Sequence, residues 1–233
     1  MNGKVDAPQG YDPSMSAAPR RAARPRGRPP KGARPAPVNE MMLAAAEAFS
    51  IQGYDGVSLR TINDQLGVSR NLLYQRFGSK ANLWRAVVDW AFAPFVEHLG
   101  SVDDESADPM DRLRGFVRGF IEYSATRPYL ASLATLEGAA PTERLDYLYD
   151  NYVNPARSRV LSILEQLARA GRIKPIPPEV LFFLITSGGT APFGQAGMAA
   201  RMEIELDPEN PDQVRVYAEH VAEILVNGIA IGT

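Results

Sequence analysis

From Val38 onward, apolar residues recur at helical spacing almost without a break. Met42, Ala45 and Phe49 form one stripe that stops at Gly53, which predicts a first helix over about residues 38–52. Ser58 suits the N-cap of a second helix with Leu59, Ile62 and Leu66 inward, closed by Gly67 in a tight turn. Ser69 is the expected cap of a third helix, with Leu73 and Phe77 inward. Gly78 breaks it, Ser79 caps a fourth, and Leu83, Val87 and Trp90 carry that stripe until Pro94.

Past an acidic linker at residues 102–108, Leu113, Phe116, Val117, Phe120 and Ile121 predict a strongly amphipathic helix. A shorter one follows Pro128 through Leu130, Leu133 and Leu136. Residues 142–170 keep helical spacing through Leu145, Leu148, Tyr152, Val160, Ile163 and Leu167, with a bend expected at Pro155. The run Val180 to Ile185 is apolar on every side, and Pro177 and Pro178 before it suit a helix start. A last helix, about residues 211–228, puts Val214, Ala218, Val221 and Leu225 on one face. The fold class is therefore all-α.

Only Gly67 and Val68 separate helices two and three, so the two must cross steeply instead of lying antiparallel, as in a helix-turn-helix. The third helix then projects Arg70, Asn71, Gln75 and Arg76 outward, with no acidic residue among them. Arg forks onto guanine edges and Asn or Gln onto adenine edges, while Tyr and Lys reach phosphates. The N-terminal amides at Ser69 and Ser79 add anion sites.

The positions Met42, Ala44, Ala45, Phe49, Gly53, Tyr54, Val57-Ser58, Ile62, Leu66-Gly67-Val68-Ser69, Leu73-Tyr74, Phe77, Ser79-Lys80 and Leu83 resemble the DNA-binding domain of the tetracycline-repressor (TetR-type) family. The likeness covers about residues 38–90. It implies a three-helix DNA-binding domain there and a larger α-helical ligand-binding and dimerisation domain over residues 91–233. It further implies a homodimer whose third helices enter successive major grooves of a near-palindromic operator, and a small-molecule inducer. Position by position, Tyr74 and Lys80 are expected on phosphates, Arg70, Asn71 and Leu72 at base edges, and Arg60 near the backbone. Arg76 stands where the family often has an aromatic or His near phosphate. Two departures stand out. Asn63 replaces a usual small Ala, which counts against tight packing of helices two and three; Asn71-Leu72 replaces Gly-Thr, so the bases read do not carry over from relatives. Taken without the resemblance, Gly67-Val68-Ser69 fits any helix–helix turn, Tyr74 also suits a core aromatic, and Arg60 also suits a solvated helix charge.

Charge changes the picture of the ends. Residues 1–37 carry Lys4, Arg20, Arg21, Arg24, Arg26, Arg28, Lys31 and Arg34 against Asp6 and Asp12, residues 38–90 balance, and residues 91–233 carry twelve basic against twenty acidic side chains. The front is proline-rich with no Leu, Ile, Phe or Trp, so it reads as a flexible basic arm that meets a polyanion. Within it, Pro25-Arg26-Gly27-Arg28-Pro29-Pro30-Lys31 resembles the AT-hook. There Gly27 would let the chain lie on the minor-groove floor while Arg26 and Arg28 run along a narrow A-T tract. The alternative is a linker-like tail from an Arg- and Pro-rich bias.

With 45% apolar and 22% charged residues, the rest is a soluble globular chain. The absence of cysteine excludes disulfides, thiolate metal sites and cysteine nucleophiles, and two histidines exclude a multi-histidine site. No apolar run approaches the roughly 18 residues of a membrane span and no secretory signal is seen, so the expected address is cytoplasmic, at the nucleoid. Ser162 and Ser187 lack a nucleophile-elbow pattern, and no Lys follows Gly188-Gly189-Thr190 to cradle phosphate, so no enzyme, cofactor or metal is expected. Surplus aromatics, namely Phe116, Phe120, Tyr123, Tyr147, Tyr152 and Phe183, are the candidate walls of a ligand cavity. By resemblance, helices around 178–190 and 211–228 form the homodimer interface. The reading is a DNA-binding transcriptional regulator of repressor type. The alternative is a dimeric architectural or accessory DNA-binding protein without an inducer.

Overall fold

Helix α1 (Val38–Gly56) buries Met42, Ala45 and Phe49, the stripe expected from their spacing, and Met41 and Ala48 besides. Its regular part ends at Gly53, whose φ of 68° is open to glycine and strained for other residues. The computed structural model describes residues 37–231, so the basic arm with Arg26, Gly27 and Arg28 lies outside the described residues. Helix α2 (Leu59–Leu66) starts where the Ser58 hydroxyl accepts from the Thr61 N–H, and it ends at Gly67 in the left-handed region. Helix α3 spans Leu72–Phe77 and α4 spans Lys80–Ser101, the latter capped by the Ser79 hydroxyl accepting from the Asn82 N–H.

Pro94 does not end α4. It lies on the exposed side, where one lost ladder bond faces water, while Phe95 and Leu99 beyond it are buried and hold the rod in line. The helix thus continues past residue 90, and the described residues form one compact unit. Among the described residues there is no strand, only an isolated bridge between Ile173 and Ala230.

Helix α5 (Pro109–Ala125) is capped by Asp108 and buries Leu113, Phe116, Val117 and Ile121. Helix α6 (Pro128–Glu137) packs on α1. The expected bend at Pro155 takes another form: α7 (Glu143–Leu148) runs into a π turn, π1 (Tyr149–Val153), and then α8 (Asn154–Arg169). Pro155 has no N–H to offer the Asn151 carbonyl and its ring crowds that oxygen, so a wider turn just upstream relieves both faults. The π turn also gathers Tyr147 and Tyr152, five residues apart, onto one acceptor: both phenols donate to Asp89 Oδ1 of α4, at 2.7 and 2.6 Å.

Helix α9 (Pro178–Phe183) flows into a second π turn, π2 (Leu184–Gly188). Two short helices follow, α10 (Ala191–Gly194) and α11 (Ala196–Arg201), which no apolar stripe in the sequence announces. Helix α12 (Pro211–Ile229) lies along α5 and buries Val214, Ala218, Ala222, Val226 and Ile229. No helix of the described residues is long and apolar enough to cross a membrane.

The Asp89 clamp ties π1 to α4. Its hydrogen bond raises the pKa of Tyr147, and burial followed by the same acceptor raises that of Tyr152. Both phenols are thus favoured neutral in the folded chain. Their contribution is intact below the ordinary phenol value of about 10 and fades as pH rises above it, where the unfolded chain ionises first. Asp89→Ala is expected to cost about 2 kcal/mol in urea unfolding at neutral pH, and tyrosinate absorbance should show two phenols ionising earlier than in the parent.

Candidate nucleic-acid interface and effector cleft

The crossing of α2 and α3 is set by one buried side chain. Asn63 is fully buried; its Nδ2 donates to the Arg70 carbonyl at 2.9 Å and its Oδ1 accepts from the Leu73 N–H at 3.3 Å. Its own carbonyl accepts from the Val68 N–H at 3.1 Å. An amide has both donor and acceptor, so it satisfies one backbone group of the turn and one of α3 that an alanine would leave unpaired. Asn63 therefore tightens the packing it was expected to loosen.

Ser69 is displaced from the role expected for it. The Leu72 N–H bonds the main-chain oxygen of Ser69, the Leu73 N–H goes to Asn63, and α3 starts at Leu72 with Asn71 as its cap position, so Ser69 lies in the preceding turn without capping. Leu73 is buried and Leu72 half-buried, while Arg70, Asn71, Tyr74, Gln75 and Arg76 are exposed together. Tyr74 is 63% exposed, which removes it from the core. Asn71 makes no side-chain cap bond, so its amide is turned to no local partner. The end of α3 is closed by Asn82, whose Nδ2 donates to the Phe77 carbonyl.

Lys80 points inward. Its ammonium donates to the carbonyls of Tyr54 at 2.8 Å and Val57 at 3.0 Å, and it lies 4.3 Å from the Tyr54 ring centre. It holds the end of α1 to the start of α4. Arg144 reaches the same ring at 4.1 Å and is itself held by Glu137, a buried carboxylate, at 2.9 Å. The α6–α7 corner is thereby docked where α1 gives way to α2. Arg60 is exposed, with Asp64 at 3.9 Å. The Ser79 hydroxyl is occupied as a cap.

Between α5, α8 and α9 lies a narrow apolar cleft enclosing about 30 Å³, walled by Phe116, Phe120, Val160, Leu161, Phe182 and Ile185. Arg157 stands in its lining and pairs with Glu179 at 2.9 Å. Of the aromatics expected to line a cavity, Phe116 and Phe120 do so. Tyr147 and Tyr152 serve the Asp89 clamp, Tyr123 packs on Phe95, His98 and Arg127, and Phe183 is 63% exposed on the outer side of α9. His98 is half-buried against Tyr123 and His220 is exposed. Among the described residues no cluster of side chains is arranged to hold a metal.

A steep helix pair presenting a cationic, amide-bearing third helix on an all-helical body is the architecture of a helix-turn-helix. Residues 42–87 match the model of the bacterial regulatory proteins of the tetR family. It is 32% identical over 84 residues to the HTH-type transcriptional activator FasR of Mycolicibacterium smegmatis, spanning 36% of this chain and 38% of that one. It is 24% identical over 136 residues to the nucleoid occlusion factor SlmA of Vibrio cholerae, spanning 58% of this chain and 68% of the relative. The chain thus aligns with less than half the length of FasR. The fold is similar to that of the ketosteroid transcriptional regulator KstR2 of Mycobacterium tuberculosis, with a TM-score of 0.66 at 19% identity over 83% of this chain and 95% of that one.

Asn63→Ala is expected to lower the unfolding free energy by about 1–3 kcal/mol, the cost of leaving buried partners unpaired. Asn63→Asp, which loses the donor and buries a charge, should cost more; equilibrium urea denaturation followed by circular dichroism checks both.

Proposed function

We propose that this chain is a homodimeric transcriptional repressor, released from a near-palindromic operator by a small molecule. The observation that carries the reading is the exposed set Arg70, Asn71, Tyr74, Gln75 and Arg76, with no acidic residue among them and held at one angle by Asn63. In this reading Arg70, Asn71 and Gln75 read base edges in the major groove, with Leu72 beside them, and Tyr74 and Arg76 take phosphates. Lys80 acts chiefly by positioning the head, since two of its three donors are occupied within the chain. Arg60 is an auxiliary backbone contact that must leave Asp64. The arm adds minor-groove contacts through Arg26, Gly27 and Arg28.

The dimer interface we propose lies on α9, π2 and α12. Val180, Phe183 and Leu184 on the former, and Val216 and Ile224 on the latter, are large apolar side chains left in water by one copy of the chain. In this scheme residues 38–90 are the DNA-binding head and residues 91–233 the effector and dimerisation body, with α4 shared between them. A ligand that binds better when the two heads are misplaced for the operator weakens DNA binding by the ratio of its two affinities. Tenfold preference amounts to about 1.4 kcal/mol. The protein is then a cytoplasmic, nucleoid-associated regulator and not an enzyme. FasR is an activator by name, so the sign of regulation follows from where the operator lies relative to the promoter.

The likeness to a nucleoid occlusion factor favours a second reading, an accessory DNA-binding protein without inducer. Fluorescence anisotropy separates the two: a repressor should prefer one palindrome over random duplex by about a thousandfold or more, whereas the accessory protein should show mainly A-T preference. Asn71→Ala is expected to cost about 1–3 kcal/mol at the cognate site and to relax base preference there. Deleting residues 1–34 should flatten the slope of log affinity against log salt by roughly 0.9 for each phosphate the arm neutralises; an unchanged slope would remove the arm from the interface.

A further inference from the structure

We infer that the effector of the α5–α8–α9 cleft is an amphipathic monoanion, an apolar chain or ring carrying one carboxylate, which seats itself by displacing Glu179 from Arg157. The inference rests on the cleft being the effector site. Its walls are apolar, so they select a ligand by shape and greasiness alone. Polar selection falls to two side chains. The Thr186 hydroxyl is already donated to the Phe182 carbonyl at 2.9 Å, which leaves it no proton to offer. Arg157 is the only charged group in the lining, and its guanidinium is held at 2.9 Å by Glu179, in the first turn of α9.

That pair makes the choice of charge. A cationic ligand meets a like charge at the lining. A neutral one leaves the Arg157–Glu179 bond closed and gains apolar contact with, for an alcohol, one neutral hydrogen bond into the Thr186 oxygen, weaker than a charge-assisted bond to Arg157. A carboxylate exchanges one anion for another on the same guanidinium, so Arg157 is never buried unpaired, and Glu179, the more exposed partner, is returned to water. The wall that must yield is built for it. Helix α9 has six residues and passes directly into π2, a register defect that can shift without breaking a long hydrogen-bond ladder. The other side of that wall carries Val180, Phe183 and Leu184, so a ligand that moves α9 also moves the surface through which we pair two copies.

The experiment uses the full-length protein and three probes of equal chain length: decanoate, decanol and decyltrimethylammonium, each titrated by isothermal calorimetry. Decanoate is expected to bind at least tenfold more tightly than either of the others. Arg157→Gln should abolish that preference, whereas Glu179→Gln, which removes the competing anion, should tighten decanoate binding. Opposite signs from the two halves of one ion pair distinguish a ligand site from a merely structural bridge, which both substitutions would weaken alike; unchanged thermal midpoints show that both variants fold. Equal binding of decanoate and decanol, or no binding of decanoate to the parent, overturns the inference. Operator anisotropy with and without decanoate reads the repressor proposal separately. Arg157-dependent binding that leaves operator affinity unchanged sustains this inference and sinks ligand release.

Discussion

The exposed face of α3 depends on a single buried amide. Helix α3 has only six residues, too short to hold its own orientation, and its start is not closed by a serine of its own. Asn63, reaching across from α2, takes both the Arg70 carbonyl and the Leu73 N–H. A buried polar group with both hydrogen-bonding functions matched is directional in a way that apolar packing is not. The angle at which Arg70, Asn71 and Gln75 meet solvent is therefore a property of α2 as much as of α3.

Two further polar contacts carry that geometry into the rest of the chain. Lys80 and Arg144 meet at the Tyr54 ring, which joins the end of α1, the start of α4 and the α6–α7 corner. Asp89, further along α4, collects the phenols that flank π1. Helix α4 runs unbroken through both contacts, with no linker between them. One π turn lies against α4 and the other at the cleft wall, and both are places where a helix is already out of register.

Much of this was legible in the chain. The helical stripes of α1, α2, α4, α5 and α12, the stop at Gly53, the Ser58 and Ser79 caps and the left-handed Gly67 all follow from local rules of spacing and dihedral freedom. The outward residues of α3 followed from the same periodicity. The failures were those of partner choice. Asn63 looked like a misfit because it stands where the resembled family has a small Ala, and its true partners are seven and ten residues on. Lys80 looked like a phosphate ligand by resemblance to the family, whereas two carbonyls more than twenty residues away had claimed it. Phe183 looked like a cavity wall because it is aromatic, and side-chain type does not say which side of a short helix faces in.

The sequence by itself determined an all-helical chain, a helix-turn-helix near its front, the exposed cationic set on the third helix and the asymmetry of charge between its ends. These are set by interactions within a turn or two of helix, where spacing alone decides the outcome. Only the tertiary structure decided that α4 continues past Pro94, that Pro155 is accommodated by a π turn, and that of six candidate aromatics two line the cleft. Those choices compare contacts between residues far apart in the chain. A proline or a tyrosine carries no record of them until the helices are packed.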